Sequence, residues 1–144
     1  MTLKIKKLTT TSVVPTRATS GSAGLDLYAD ISEPVTINPG SLVTIPTGIA
    51  VSVPPNHAAF IYARSGLGIK HGINLSNGVG VVDSDYRGEV KVGLCNVSGE
   101  AYTVKPQERI AQMVIMPVVI PEISEVAELD DTIRGEGGFG SSGK

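Results

Sequence analysis

The sequence predicts an all-β fold of jelly-roll type: a sandwich or barrel of many short strands, little helix, and a mobile glycine-rich C-terminal arm. Three observations carry that expectation. Seventeen Gly and nine Pro cut the 144 residues into short pieces. Between the cuts, apolar residues alternate with period two. No stretch of a dozen residues repeats its apolar positions at helical spacing.

Strands are expected, in order, over residues 3–8, 25–29, 35–37 and 42–45. In GIAVSV, Ile49, Val51 and Val53 share a face; in HAAFIYAR, Ala58, Phe60 and Tyr62 oppose Ala59, Ile61 and Ala63. Residues 68–76 have room for a single helical turn. The stretch GVGVVDSDYRGEVKV, residues 78–92, reads as a valine hairpin with a polar tip, Val79, Val81 and Val82 before the tip and Val90 and Val92 after it. EVKVGLCN aligns Val90, Val92 and Leu94 with Glu89 and Lys91 turned away, and RIAQMVIMP aligns Ile110, Val114 and Met116 with Gln112. Short strands at 102–104 and 123–126 complete the pattern. The expected organisation is one domain over residues 1–133 and a flexible arm over 134–144.

Composition narrows the function. With no Trp, two Phe and four Tyr, the core rests on Val, Ile, Leu and Ala, and a core of that size leaves room for oligomerisation. A formal charge of −2 argues against a nucleic-acid-binding surface, so a bound anion must be met by a few placed Arg or Lys. The single Cys95 excludes an internal disulfide and any multi-Cys zinc site, and His57 and His71 are too scattered for a His-based metal site. The start, MTLKIKKLTT, lacks the apolar core of a secretion signal, and no run approaches the ~18 apolar residues of a membrane span. The expectation is a cytoplasmic protein that binds neither membrane nor nucleic acid.

Five places interrupt the β pattern with polar chemistry. Residues 83–88, DSDYRG, put two carboxylates, a phenol and a guanidinium at one strand end. Asp26 stands between Leu25 and Leu27, either facing solvent or partnering an Arg or metal-bound water. Arg64-Ser65-Gly66 follows directly on a strand and offers a cation, a hydroxyl and free N–H groups, the donors that phosphate oxygens need. Gln112 is a primary amide among apolar neighbours, which requires a partner, either a backbone group or a ligand. The tail RGEGGFGSSGK carries Arg134 and Phe139, a fork for phosphate and a stacking face for a base. It is no Walker loop, because no Gly-Lys-Ser/Thr stands at the required spacing.

Taken together these segments resemble the trimeric dUTP pyrophosphatase family (deoxyuridine triphosphate nucleotidohydrolases). Five family motifs occur in order: AGLDLYAD at 23–30, ARSGLGIKHG at 63–72, NGVGVVDSDYRGEV at 77–90, ERIAQMVIMP at 108–117 and RGEGGFGSSG at 134–143. Val82 stands where isoleucine is frequent in the family. The resemblance implies a β jelly roll, a homotrimer with active sites at subunit boundaries, and hydrolysis of dUTP to dUMP and pyrophosphate. Such an activity limits uracil incorporation into DNA and supplies dUMP for dTMP synthesis.

It also implies roles for particular residues. Asp83 matches the general base that activates water for attack on the α-phosphorus. Tyr86 would lie against the deoxyribose and exclude a 2′-hydroxyl. Asn77, with the backbone at Gly80 and Val81, would read uracil. Arg64, Ser65, Gly66 and Gln112 would bind phosphates. Arg134, Phe139, Gly140 and Ser141 would close over the substrate with the arm. Mg²⁺ would be held by phosphates and water rather than by direct protein ligands, with Asp26 near its water shell or orienting an Arg. Two other readings stay open from sequence: a dCTP deaminase of similar fold, and a jelly-roll module that binds nucleotide or a partner without turnover.

Overall fold

The computed structural model describes residues 1–138. Among these, ten strands and one short helix follow one another. They are β1 (Lys4–Lys7), β2 (Leu25–Tyr28), β3 (Val35–Ile37), β4 (Leu42–Ser52), β5 (His57–Tyr62), α1 (Ser65–His71), β6 (Ile73–Leu75), β7 (Gly80–Val82), β8 (Glu89–Asn96), β9 (Tyr102–Val104) and β10 (Arg109–Pro117). One antiparallel sheet has the order β1-β4-β8-β6, the second β2-β10-β5-β7, and β3 and β9 form a two-stranded ribbon. The jelly-roll-like expectation holds.

The period-two alternation sorts the faces as expected. Val90, Val92 and Leu94 of β8 are buried with Ile45, Ile49 and Val51 of β4 from one sheet. Leu25 and Leu27 of β2, Ala59 and Ile61 of β5, and Met113 of β10 meet them from the other, in one continuous apolar cluster. Each such aliphatic side chain contributes about 1.5–3 kcal/mol on burial, which lets a nearly aromatic-free chain close its core.

Several local expectations are revised. The two strands expected around Pro46 are a single β4, with a register shift between Pro46 and Ala50. Proline is tolerated there because β1 pairs only with Ile49 to Ser52, so no neighbour on that side calls for its missing N–H. In β10 a register irregularity between Arg109 and Ala111 changes the expected faces. Ile110, Ala111 and Met113 are buried, while Gln112, Val114 and Met116 lie half-buried. A bulge of this kind cannot be read from alternation, because it adds a residue to the alternation itself.

The helical turn expected over 68–76 is displaced. α1 occupies Ser65–His71 and ends at Gly72, whose φ of 65° and N–H bond to the Gly68 carbonyl (3.1 Å) make a left-handed cap. Ile73–Leu75 is instead strand β6, with Ile73 and Leu75 buried against β8. The strand expected at 123–126 is absent: residues 118–138 are irregular, and among the described residues the last backbone hydrogen bond to the sandwich is Val118 N–H to the Asn56 carbonyl, 2.9 Å. Val119, Ile120, Ile123, Val126, Leu129 and Ile133 beyond it are all exposed. Cys95 is half-buried, on the face of β8 opposite its core residues.

The most consequential revision concerns residues 78–92. They form no hairpin. β7 pairs with β5, whereas β8 pairs with β4 and β6, so the two valine arms belong to different sheets. The connection over residues 83–88 is longer than a two-residue hairpin turn and long enough to cross the ~10 Å between packed sheets.

Behind β9 and α1, Tyr102 clasps two segments. Its hydroxyl donates to Glu108 Oε1, and Glu108 Oε2 accepts the Lys105 N–H at 2.9 Å. The His71 ring rests on Tyr102 with centroids 4.9 Å apart. Burial, then the hydrogen bond to Glu108, then that carboxylate's charge push the Tyr102 phenol up from 10.0 to about 12, against a smaller pull from Arg64. The folded state holds this proton more tightly than the unfolded chain, so the clasp contributes fully below pH 10 and its contribution is lost as pH rises to about 12. The melting temperature is expected to fall across that interval and Tyr102→Phe to flatten the fall; an identical slope in the variant would show that the clasp does not stabilise the fold.

Candidate functional site

Because β7 and β8 diverge into separate sheets, a cleft of about 420 Å³ opens between them. Its lining includes Asn77, Gly80, Val81, Asp83, Tyr86 and Glu89, so the residues expected to read base and sugar and to activate water share one cavity. Its floor is apolar, with Ile61, Leu75, Val90 and Val92 reaching it from the core. Gly80 lies against that floor: an added Cβ would stand 3.1 Å from Ile61 Cβ and 3.7 Å from Asn77 Nδ2. Any side chain here would fill the cleft.

The connection that closes the cleft is tied by its own polar groups. Tyr86 N–H donates to the Asp83 carbonyl at 3.2 Å, making a turn with the exposed Asp83 at its start. Arg87 Nη1 donates to the Ser84 and Tyr86 carbonyls at 2.7 and 2.8 Å. The Tyr86 hydroxyl donates to the Glu89 carbonyl at 3.1 Å. Glu89 in turn accepts the Gly48 N–H at 2.9 Å, and the Thr47 hydroxyl donates to the Val90 carbonyl. The sequence had no way to signal those last two bonds, because they join residues about forty positions apart.

A second polar group gathers on the other sheet. Asp26, Gln112 and Tyr62 lie directly across from one another on β2, β10 and β5, so their side chains share a face. Asp26 is not the solvent-facing carboxylate of the plainer expectation. Its side chain is 13% exposed and takes Arg64 Nε on Oδ1 at 3.0 Å and Arg109 Nη1 on Oδ2 at 3.2 Å. Arg64 also donates to the Arg109 carbonyl at 3.2 Å. One carboxylate therefore holds two guanidiniums, and the group carries net positive charge. Arg109 stands at the start of β10, where the register irregularity before Ala111 leaves it beside Asp26.

Gln112 finds a backbone partner. Its Nε2 donates to the Ala63 carbonyl at 3.0 Å, which anchors the residue just before Arg64-Ser65-Gly66. Gly24 makes this possible, since a Cβ there would stand 2.5 Å from Gln112 Oε1. Ser65 and Gly66 are exposed at the start of α1. Among the described residues no group of three His, Cys, Asp or Glu is arranged to hold a metal ion.

Asp83 and the Arg64-Ser65-Gly66 segment do not meet within one copy. β7 runs antiparallel to β5, with Val82 opposite Ala59 and Gly80 opposite Ile61. Asp83 therefore leaves at the start of β5, whereas Ser65 follows its far end, roughly 15 Å or more away at ~3.3 Å per residue. Arg134, in the tail, is exposed and its Nε donates to the Gly137 carbonyl at 2.7 Å. Phe139, Gly140 and Ser141 lie outside the described residues.

Comparison with known proteins agrees with the motif order. The family model described as dUTPase matches residues 10–143. The deoxyuridine 5′-triphosphate nucleotidohydrolase of Neisseria meningitidis serogroup A is 56% identical over 132 residues, 91% of this chain and 88% of the relative. That of Idiomarina loihiensis is 55% identical over 132 residues, 91% of this chain and 87% of the relative. A solved structure of Staphylococcus bacteriophage 80alpha dUTPase with dUPNHPP superposes with a TM-score of 0.88 at 29% identity, covering 99% of each chain. The dUTPase of phage phi11 of S. aureus, described with a coordinated structural Mg(II) ion, gives a TM-score of 0.79 at 25% identity over 89% of this chain and 98% of that one.

The shared carboxylate generates a stability prediction. Asp26→Ala leaves two adjacent guanidiniums without their counter-charge, and a loss of about 1–3 kcal/mol is expected, between the values for exposed and buried pairs. Denaturant unfolding measures it; a loss below about 0.5 kcal/mol, the range of ordinary surface changes, would mean that the ion pairs do not hold this face together.

Proposed function

The chain belongs to the dUTPase family, and from that premise we propose that it hydrolyses dUTP to dUMP and pyrophosphate by attack of water on the α-phosphorus. The observation that carries this reading is the cleft between β7 and β8, with Asn77, Gly80, Asp83 and Tyr86 on its walls over an apolar floor. A flat base suits such a slot. The backbone of residues 80–81 and the Asn77 amide offer donors and acceptors to uracil, and a glycine lets the ring approach closely. Tyr86 at the mouth stands where a sugar would sit. Steric exclusion is the mechanism available to it, since an apolar contact by itself rejects an added hydroxyl only weakly.

Asp83 acts as general base. As the water oxygen bonds to the α-phosphorus, its proton passes to the carboxylate; the bond from that phosphorus to the bridging oxygen breaks and pyrophosphate departs. General-base assistance supplies only part of the acceleration, about 10²–10⁴-fold. The larger part must come from neutralising and aligning the triphosphate. Arg64, Ser65 and Gly66 suit that role, because Asp26 holds the guanidinium and Gln112 holds the strand end that presents it.

Mg²⁺ would accompany the triphosphate as part of the substrate and would neutralise part of its charge. With both Asp26 oxygens engaged by arginines, this residue fits a contact through a water of the ion's shell or the orientation of Arg64, not direct ligation.

The separation of Asp83 from Ser65 along β5 supports assembly of the site from several copies. In the homotrimer proposed here, one protomer supplies the cleft, a second Arg64, Ser65, Gly66 and Gln112, and a third its arm. Residues 1–133 form the domain and 134–144 the arm, with Arg134, Phe139, Gly140 and Ser141 closing over the nucleotide. The exposed apolar residues between Val119 and Ile133 suit a segment that leaves its own sandwich to lie on another.

The deciding experiment is release of pyrophosphate from dUTP, UTP, dCTP and dTTP with and without Mg²⁺. Release from dUTP alone, stimulated by the metal, is expected; ammonia from dCTP would identify a deaminase instead. Asp83→Asn is expected to keep nucleotide binding and lose turnover by about 10²–10⁴-fold, and full turnover would remove Asp83 from its role. Deleting residues 134–144 is expected to abolish most activity with the oligomer intact in sedimentation, whereas dissociation would make the arm a structural element.

A further inference from the structure

Gly88 has no conformational reason to be glycine. It is not among the residues with positive φ, so its backbone would accept alanine. What forbids a side chain is Tyr86. A Cβ on Gly88 would overlap the phenol, 2.5 Å from Cζ and 3.0 Å from Cε2 and closer still to the hydroxyl oxygen. The ring is folded back across residue 88, and from there its hydroxyl reaches the Glu89 carbonyl at 3.1 Å. Glu89 is itself fixed from β4: its Oε1 accepts the Gly48 N–H at 2.9 Å, and Lys91 Nζ lies 3.6 Å from its Oε2. A half-exposed tyrosine at a loop tip would otherwise sample several rotamers. Here a missing β-carbon and one backbone acceptor select a single position beside the cleft.

We infer that Gly88 is a positioning residue for sugar selectivity: its bare backbone lets Tyr86 lie where the phenol excludes a ribose 2′-hydroxyl, and the Glu89 carbonyl latches it there. This rests on the reading of Tyr86 as the sugar gate. Gly88 touches no substrate; it acts only through where it allows the ring to be. A methyl group at this position displaces the more movable partner. Tyr86 is 46% exposed and swings outward, while β7 and β8 stay paired to their own sheets.

The test compares wild type, Gly88→Ala, Tyr86→Ala and the double variant, reading the ratio of kcat/KM for dUTP over UTP together with the melting temperature. Gly88→Ala is expected to lower that ratio by about tenfold or more, the scale of a lost steric contact, with dUTP still turned over. In the double variant the methyl group has nothing to strike, so its ratio and melting temperature are expected to equal those of Tyr86→Ala. A lowered ratio in Tyr86→Ala with an unchanged ratio in Gly88→Ala overturns the inference and leaves the gate standing. An unchanged ratio in Tyr86→Ala overturns the gate itself, and the inference with it. Should Gly88→Ala fold poorly, recovery of the melting temperature in the double variant supports the clash as the cause; a double variant as unstable as Gly88→Ala overturns it.

Discussion

Most of what this chain can do follows from one separation: β7 and β8, close in sequence, pair with different sheets. Had they formed a hairpin, their backbone groups would satisfy one another and leave no gap. Divided between sheets, each finds its partners elsewhere, β7 on β5 and β8 on β4 and β6. The backbone hydrogen bonds are met, the core continues beneath, and a cleft remains that the fold itself never fills. The polar connection over residues 83–88 spans that cleft at its end. It leaves a set of exposed carbonyls, and Arg87 and the Tyr86 hydroxyl satisfy several of them.

The charges follow a similar logic. A protein with net charge −2 that handles a triphosphate has no general field to attract it and must concentrate its cations. It does so by sharing one largely buried carboxylate between Arg64 and Arg109. Two guanidiniums so close would repel each other, and Asp26 offsets that while leaving the group net positive. The same carboxylate faces Gln112 across the β2–β10 ladder. Strand register thus puts the amide that holds Ala63 and the carboxylate that holds Arg64 side by side.

What a single copy lacks is also informative. Its Asp83 and Ser65 stand near opposite ends of β5, and its last twenty described residues carry large apolar side chains in the open. A chain with no Trp and a small aliphatic core gains much from burying that surface against others like it. The proposal of an active site completed between protomers therefore arises from geometry and from packing independently.

Residue order was enough to establish the β class, most strand positions, and the identity of the chemical groups. Alternation of apolar residues reports which face is buried, and residue types such as Asp83, Tyr86 and Arg64 are read directly. Order alone could not tell a hairpin from a crossing between sheets, because both leave the same alternation on either side of a polar connection. It missed the β10 bulge and strand β6, where one extra residue or one capping glycine resets the pattern. Only the folded chain shows that Asp26 is shared by two arginines, that Tyr86 rests on Gly88, and that Glu89 is held from Gly48. These are contacts made across the ladder, through space or around a turn, and their energies depend on distances that no local pattern of residues encodes.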